Sequence, residues 1–259
     1  METVTLATHD GIGELTLNRP SKLNTMNAKF FEELPQAVDD LERDRSTRVI
    51  VVTANGPHFS AGLDLKDMAP GSRAIESTED IEALQRGFIA LATTSKPTLA
   101  AVNDYCIGGG LDLAAACDFR LASQTAIFSL REVRIGIVAD LGSLSLLAEL
   151  LPYATLAELA LTGRDIAADE ARHIGLLQGL YETPEALTAA TRRLAQELVV
   201  NPPLAVQATK RLLVNQRQQR LGPQLALAAK ENVALMRSRD ALEALAAFRE
   251  GRKPLFEGR

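Results

Sequence analysis

The sequence has no tryptophan, and aromatic residues make up only 4% of its 259 positions. Its core must therefore be built from aliphatic side chains and alanine. Cysteine is as scarce. Cys106 and Cys117 stand in apolar segments and read as buried free thiols rather than a disulfide framework. His9, His58 and His173 are scattered, without the spacing of a metal site, so no metal is expected. No run approaches the roughly 18 apolar residues a bilayer span requires. The start, METVTLATHDG, has neither a basic region nor an apolar stretch, so no secretory signal is expected, and FEGR is not an SKL-type tail. Positive charge is not in excess: 28 Lys and Arg against 33 Asp and Glu leave a net charge of −5. Neither nucleic acid nor an anionic membrane is expected as a partner. What remains is a cytoplasmic globular protein as the expectation.

What is present is ample apolar material, 46% of the chain, enough for one large α/β domain. VTLATHDGIGELTL reads as a β-hairpin around His-Asp-Gly. Asn27 is placed to cap a helix running to about Arg45. RVIVVT and PTLAAVN are β-branched or apolar runs that read as buried strands, and FRLAS and AIF as shorter ones. LDLKDM reads as a short helix, residues 70–80 as a loop, and IEALQRGFIALATT as an amphipathic helix. From about Leu141 the pattern is mostly helical. Residues 1–200 are expected to form the core. Residues 201–259, rich in Leu and Ala at three- and four-residue spacing, are expected to form a helical region that packs on another subunit or caps the chain's own core. Strand, turn and Gly-Leu-Asp-Leu occur together twice, at Gly62–Leu65 and Gly110–Leu113, which suggests an α/β fold of repeated ββα units.

Both of these turns, FSAGLDL and CIGGGLDL, put small residues where backbone N–H groups at a helix start can approach a ligand oxygen. Either could equally be a tight strand-to-helix turn. Three acids follow at spacings of 20 and 8 residues: Asp112, Glu132 and Asp140. Each has an ordinary reading, respectively compensation of a helix dipole, a solvated glutamate, and an N-cap for the apolar helix after it. Asp140, in RIGIVADLGSL, is nevertheless surrounded by apolar neighbours, where a carboxylate is costly unless bonded or protonated.

NRPSKLNTMN (18–27), FSAGLDLKDM (59–68), KPTLAAVNDYCIGGGLDLAAACDFRLAS (96–123), FSLREVRIGIVADLG (128–142) and the terminal AFREGRKPLFEGR stand in an order that resembles the crotonase superfamily, the enoyl-CoA hydratases and isomerases. The resemblance implies a crotonase-like spiral of ββα units with a C-terminal helical region. Hydratases of the family carry glutamates at the positions of Asp112 and Glu132 and a glycine-rich stretch at Asp140. The set found here is most similar to Δ3,5-Δ2,4-dienoyl-CoA isomerases.

That resemblance implies catalytic roles for Asp112, Glu132 and Asp140, and an oxyanion hole from the backbone N–H groups of Leu63 and Gly109. Substrate contacts are implied for Ser60, Ala61, Gly62, Leu63, Asp64, Leu65, Gly109, Lys22 and Lys253, with Arg252 and Lys253 meeting a CoA phosphate. It implies no cofactor, the CoA thioester being the substrate, and a homotrimer or dimer of trimers. Two alternatives stay open: hydration by an enoyl-CoA hydratase, and a non-catalytic acyl-CoA or RNA-binding member. One departure stands out. Relatives have His-Gly before the second turn, and this chain has Asn103-Asp104.

Overall fold

Val4–His9 (β1) and Ile12–Leu17 (β2) pair antiparallel across Asp10-Gly11, both of which have positive φ, as a tight hairpin turn requires. The computed structural model describes residues 1–66 and 75–259. Asn27 caps Ala28–Arg43 (α1) by accepting the Phe30 N–H. Val49–Ala54 (β3), Thr98–Val102 (β4), Phe119–Ser123 (β6) and Gly179–Tyr181 (β9) extend the hairpin as parallel neighbours, giving a six-stranded sheet in the order β1-β2-β3-β4-β6-β9. Tyr105–Ile107 (β5), Ile127–Ser129 (β7) and Ile166–Ala167 (β8) make a second, three-stranded sheet.

The unbroken apolar character of β3 and β4 follows from burial on both faces. Ile50, Val52, Ala100 and Val102 point into the main core. The alternating Val49, Val51, Leu99 and Ala101 point to a second core, sealed by Leu187, Ala190 and Ala195 of Pro184–Val199 (α7). The repeat is visible in the pairing. β4 joins the large sheet and β5 the small one before Gly109–Ala116 (α3). β6 and β7 repeat that division one step along.

Several expectations are corrected. Leu63–Lys66 is not helical: Leu63 forms a parallel bridge with Met26, and residues 67–68 lie outside the described residues. Only the second Gly-Leu-Asp-Leu therefore opens a helix among the described residues. Of the expected loop, residues 70–74 lie outside the described residues. Ser77 caps Thr78–Thr93 (α2) through a capping box with Asp80, so residues 78–80 are helix. The short strands β5, β8 and β9 were not foreseen.

Beyond Leu141 the chain folds as Ser143–Leu147 (α4), Tyr153–Thr162 (α5), Ala168–His173 (α6), α7, Pro203–Leu235 (α8) and Arg239–Glu250 (α9). Helix α8 continues through Pro223. Proline removes one ladder bond there, while Leu221 and Leu225 on either side pack into the main core. Cys106 and Cys117 are buried and free.

Candidate active site

The two glycine turns lie against each other, backbone to backbone. Ser60 bridges Cys106: the Ser60 N–H donates to Tyr105 O at 2.7 Å, and the Ile107 N–H donates to Ser60 O at 3.0 Å. A Cβ on Gly62 (φ +86°) would come within 2.7 Å of Ile107 O, and one on Gly110 within 2.7 Å of Ser60 O. Glycine is thus required by contact as well as by φ. The same geometry orients two donors. Met26 bonds to Gly62 O (2.8 Å) and accepts from the Asp64 N–H (2.9 Å), so the Leu63 N–H faces away from Met26. Gly109 is the first residue of α3, where an N–H has no intrahelical partner.

Both residues line a cleft of about 620 Å³ together with Ala61, Gly62, Asp64, Leu65 and Glu132. Its basic rim includes Lys22, as expected, and also Arg19, Lys66 and Arg131, which were not singled out. Phe248 of α9 also lines it.

Some expected contacts fall elsewhere. Ser60 does not line the cleft. Its hydroxyl is buried, donating to Asn24 O (2.8 Å) and accepting from the Gly62 N–H (3.1 Å), so it braces the turn. The Asp64 carboxylate is held by Arg19 at 3.1 Å. Lys253 does not line the cleft of its own chain, and Arg252 pairs with Glu243 and Glu250. Asn103-Asp104 leaves the turn intact: Asp104 adopts the left-handed conformation (φ +47°) that Asp tolerates, and its carboxylate lies 2.7 Å from His58 Nδ1.

All three acids are buried, at 0% exposure for Asp112, 8% for Glu132 and 7% for Asp140. None has a cationic partner among the described residues. Asp112 Oδ1 accepts the Ser143 N–H at 2.6 Å, while Asp112 Oδ2 and Glu132 Oε2 are buried without a partner. The Glu132 carboxylate lies beside the second turn, where a Cβ on Gly108 would sit 3.0 Å from Oε1.

Burial pushes the Glu132 carboxyl well up from the ordinary range, and the neighbouring charge of Asp112 adds to this. Asp112 is pushed up by burial too, against the bond from Ser143. Burial raises Asp140 to about 6, opposed by a bond from Asn232.

Asp140 is not an N-cap. Gly142 occupies that position with no side-chain bond, and it is Asp112, from α3, that accepts the first N–H of α4. Asp140 lines a smaller, largely apolar chamber of about 60 Å³ with Met26, Phe31, Leu84, Leu141 and Met236. Leu63 and Asp64 border both chambers, so Glu132 and Asp140 stand in adjoining spaces that meet at Leu63. A larger groove of about 940 Å³ runs between α8 and the starts of β4 and β6. The acids it holds, Asp118 and Glu149, are ion-paired to Lys210 and Arg217, so it lacks the unpaired carboxyls of this site.

Residues 7–259 match the family model described as enoyl-CoA hydratase/isomerase. A peroxisomal Δ(3,5)-Δ(2,4)-dienoyl-CoA isomerase of Arabidopsis thaliana is 35% identical over 99% of this chain and 96% of its own length. The mitochondrial enzyme of that name from Homo sapiens is 34% identical over 92% and 76%. A carnitinyl-CoA dehydratase of Citrobacter koseri is 36% identical over 100% and 99%. The crystal structure of an enoyl-CoA hydratase from Mycobacterium avium subsp. paratuberculosis superposes with a TM-score of 0.89 at 26% identity, over 99% of both chains. The chain belongs to the enoyl-CoA hydratase/isomerase family, has the crotonase fold, and is an enzyme of that family. Among the described residues no helix is long and apolar enough to cross a membrane. The two dienoyl-CoA isomerases named above are peroxisomal and mitochondrial, and they lend no support to the expected cytoplasmic location.

Proposed function

We propose that this enzyme moves the two double bonds of a 3,5-dienoyl-CoA to the 2,4 positions by proton transfer from C2 to C6. The observation that carries the reading is the placement of three buried carboxyls without cationic partners among the described residues, Glu132 and Asp140 on either side of Leu63 and Asp112 packed behind them. Burial brings these groups toward neutrality, Asp140 to about 6 and Glu132 further up, so the cluster can share a proton and trade it.

In the proposed reaction the proton shared by the carboxyls passes to Asp140 as the thioester binds, and the ionised Glu132 takes the C2 proton. The C2–H electron pair enters the conjugated system, and negative charge collects on the thioester oxygen. The N–H groups of Leu63 and Gly109 would donate to that oxygen, each worth about 3 kcal/mol in a transition state. Asp140 then delivers a proton to C6, and the extended dienolate becomes the 2,4-diene. The proton held by Glu132 returns to Asp140 through Asp112 or solvent and closes the cycle. Asp112 tunes the pair electrostatically. Proton transfer of this kind calls for neither a metal nor a redox group, and the CoA thioester is the substrate itself. Lys22 and Lys66 supply positive charge at the cleft where CoA phosphates would lie, beside Arg19 and Arg131, which are ion-paired to Asp64 and Asp165.

A second reading, hydration or dehydration of an acyl-CoA, is favoured by the 36% identity to a carnitinyl-CoA dehydratase. Purified protein offered 3,5-dienoyl-CoA and 2-enoyl-CoA separates the two, because only isomerisation produces the conjugated 2,4-diene absorption. Hydration of the enoyl substrate without diene formation would reject the isomerase reading.

The family resemblance further suggests a trimer or dimer of trimers. Leu204, Leu212 and Leu213 of α8 are 79%, 73% and 69% exposed, an apolar surface suited to a second copy. Sedimentation of active protein as a monomer at micromolar concentration would reject that assembly.

A further inference from the structure

Asn232 lies in the last turn of α8 and is fully buried, with 0% exposure. It continues the stripe Leu221, Leu225, Ala229 that enters the core, where a polar side chain must have its bonds satisfied. It makes three. The Val138 N–H donates to Oδ1 (2.8 Å), and Nδ2 donates to Val138 O (2.9 Å) and to Asp140 Oδ2 (2.7 Å). The Val138 donor decides the orientation of the amide. An acceptor must face it, so the NH2 group is turned toward Asp140.

A second buried amide, Gln85 of α2, holds the backbone of the same segment, donating to Asp140 O (2.8 Å) and Leu225 O (3.2 Å). The titratable groups around Asp140 are Asp112 from α3, Glu132 from the 3-10 turn Arg131–Ile135, and Asp64 across the small chamber. From α2 and α8 the bonded groups are these two neutral amides.

We infer that Asn232 is a positioning residue for proton transfer, holding Asp140 Oδ2 as an acceptor and leaving proton exchange to Oδ1. The inference rests on the proposed role of Asp140 as the proton carrier. A donor aimed at the carboxylate favours its ionised form and opposes the effect of burial. It also fixes which oxygen faces the chamber. A helix from the C-terminal region thereby reaches the chemistry of the core.

Asn232→Leu keeps the branching at Cγ and removes the amide. Gln85→Leu removes the backbone clamp and leaves the carboxylate bond. The Asp140 carboxyl can be followed by infrared difference spectra of 13C-aspartate-labelled protein against Asp140→Asn. In Asn232→Leu its titration midpoint should rise by about one pH unit or more, the size expected for loss of a bond to a charged group. In Gln85→Leu it should stay in place. Isomerase kcat should fall in Asn232→Leu more than KM changes, with the pH profile displaced the same way, while exchange of the C2 proton with D2O continues.

An unmoved midpoint in folded Asn232→Leu, or an equal shift in Gln85→Leu, would overturn the inference. Should Asn232→Leu not fold, the wild type still decides. The Asn232 side-chain amide resonances should titrate with Asp140 and cease to do so in Asp140→Asn, and resonances flat across that titration would overturn it. If the midpoint shifts as expected but Asp140→Asn isomerises at the wild-type rate, the proposed chemistry fails while the control of Asp140 by Asn232 stands.

Discussion

The two ends of α3 bury charge in opposite ways. Beyond its C-terminus, Arg120 is 1% exposed and donates to the carbonyls of Leu176 (2.8 Å) and Cys117 (2.7 Å). Asp118 is ion-paired to buried Lys210 and accepts from the Thr98 N–H at 2.8 Å, and Lys210 also donates to Lys96 O at 3.1 Å. Positive charge there meets the carbonyl end of the helix, and these groups are bonded. At the N-terminal end, Asp112, Glu132 and Asp140 have no cation beside them among the described residues, and two of their oxygens have no partner there. The first cluster has its charges compensated within the fold. The second is an uncompensated cost of the kind that persists where groups must exchange protons. A buried charge is thus informative about function through its partners, not through its burial.

The sharpest way to break this comparison is to neutralise one member of the unpaired cluster. Glu132→Gln should lower turnover by about 10²–10⁴-fold, the usual worth of a general base, while the protein keeps its fold. Wild-type turnover in that variant would place Glu132 among structural acids.

Breaking the paired cluster should do the reverse. Lys210→Met leaves Asp118 without its cation and should cost about 2–4 kcal/mol in urea denaturation, with the activity of the folded fraction unchanged.

Asp140→Asn tests the sign of the difference. In the folded chain Asp140 is raised from 3.8 to about 6, so the unfolded chain loses that proton first. Stability should fall as pH rises from about 4 to 6 and stay lowered above that. Asp140→Asn removes this loss. It should unfold like wild type near pH 3.5 and be more stable by about 1–3 kcal/mol at pH 8, while losing isomerase activity. A variant less stable than wild type at pH 8 would contradict the view that ionising Asp140 is costly.

The smallest effect is expected at the cleft mouth. Arg19→Ala frees Asp64 and removes one positive charge, and KM should rise about three- to fivefold with kcat nearly unchanged. Steady-state kinetics at two salt concentrations would show whether that loss is electrostatic.

Much of this was legible from local pattern. The β1–β2 hairpin, the Asn27 cap, strands β3 and β4 and the helix after Gly108 depend on turn chemistry, capping and unbroken apolar runs, which neighbouring residues decide. The resemblance to the dienoyl-CoA isomerases marked Asp112, Glu132 and Asp140 as candidates. Partners were not legible, because they come from far along the chain. Asn232 meets Asp140 across 92 positions, Gln85 reaches its carbonyl across 55, and Asp112 caps a helix 31 residues away. A signal for the two amides did exist: each is a polar residue on an otherwise apolar helical stripe, Gln85 between Ile81 and Phe88, and Asn232 after Leu225 and Ala229. It could not say what they bond. The first Gly-Leu-Asp-Leu shows the same limit, since its bridge to Met26 outweighs a helical reading that its twin fulfils. The sequence by itself determined the longer elements and the chemical types at the site, because backbone preferences and side-chain identities are local. Only the tertiary structure decided which carboxyls stay unpaired and which amide faces which oxygen, because desolvation and hydrogen-bond geometry depend on what the fold brings alongside.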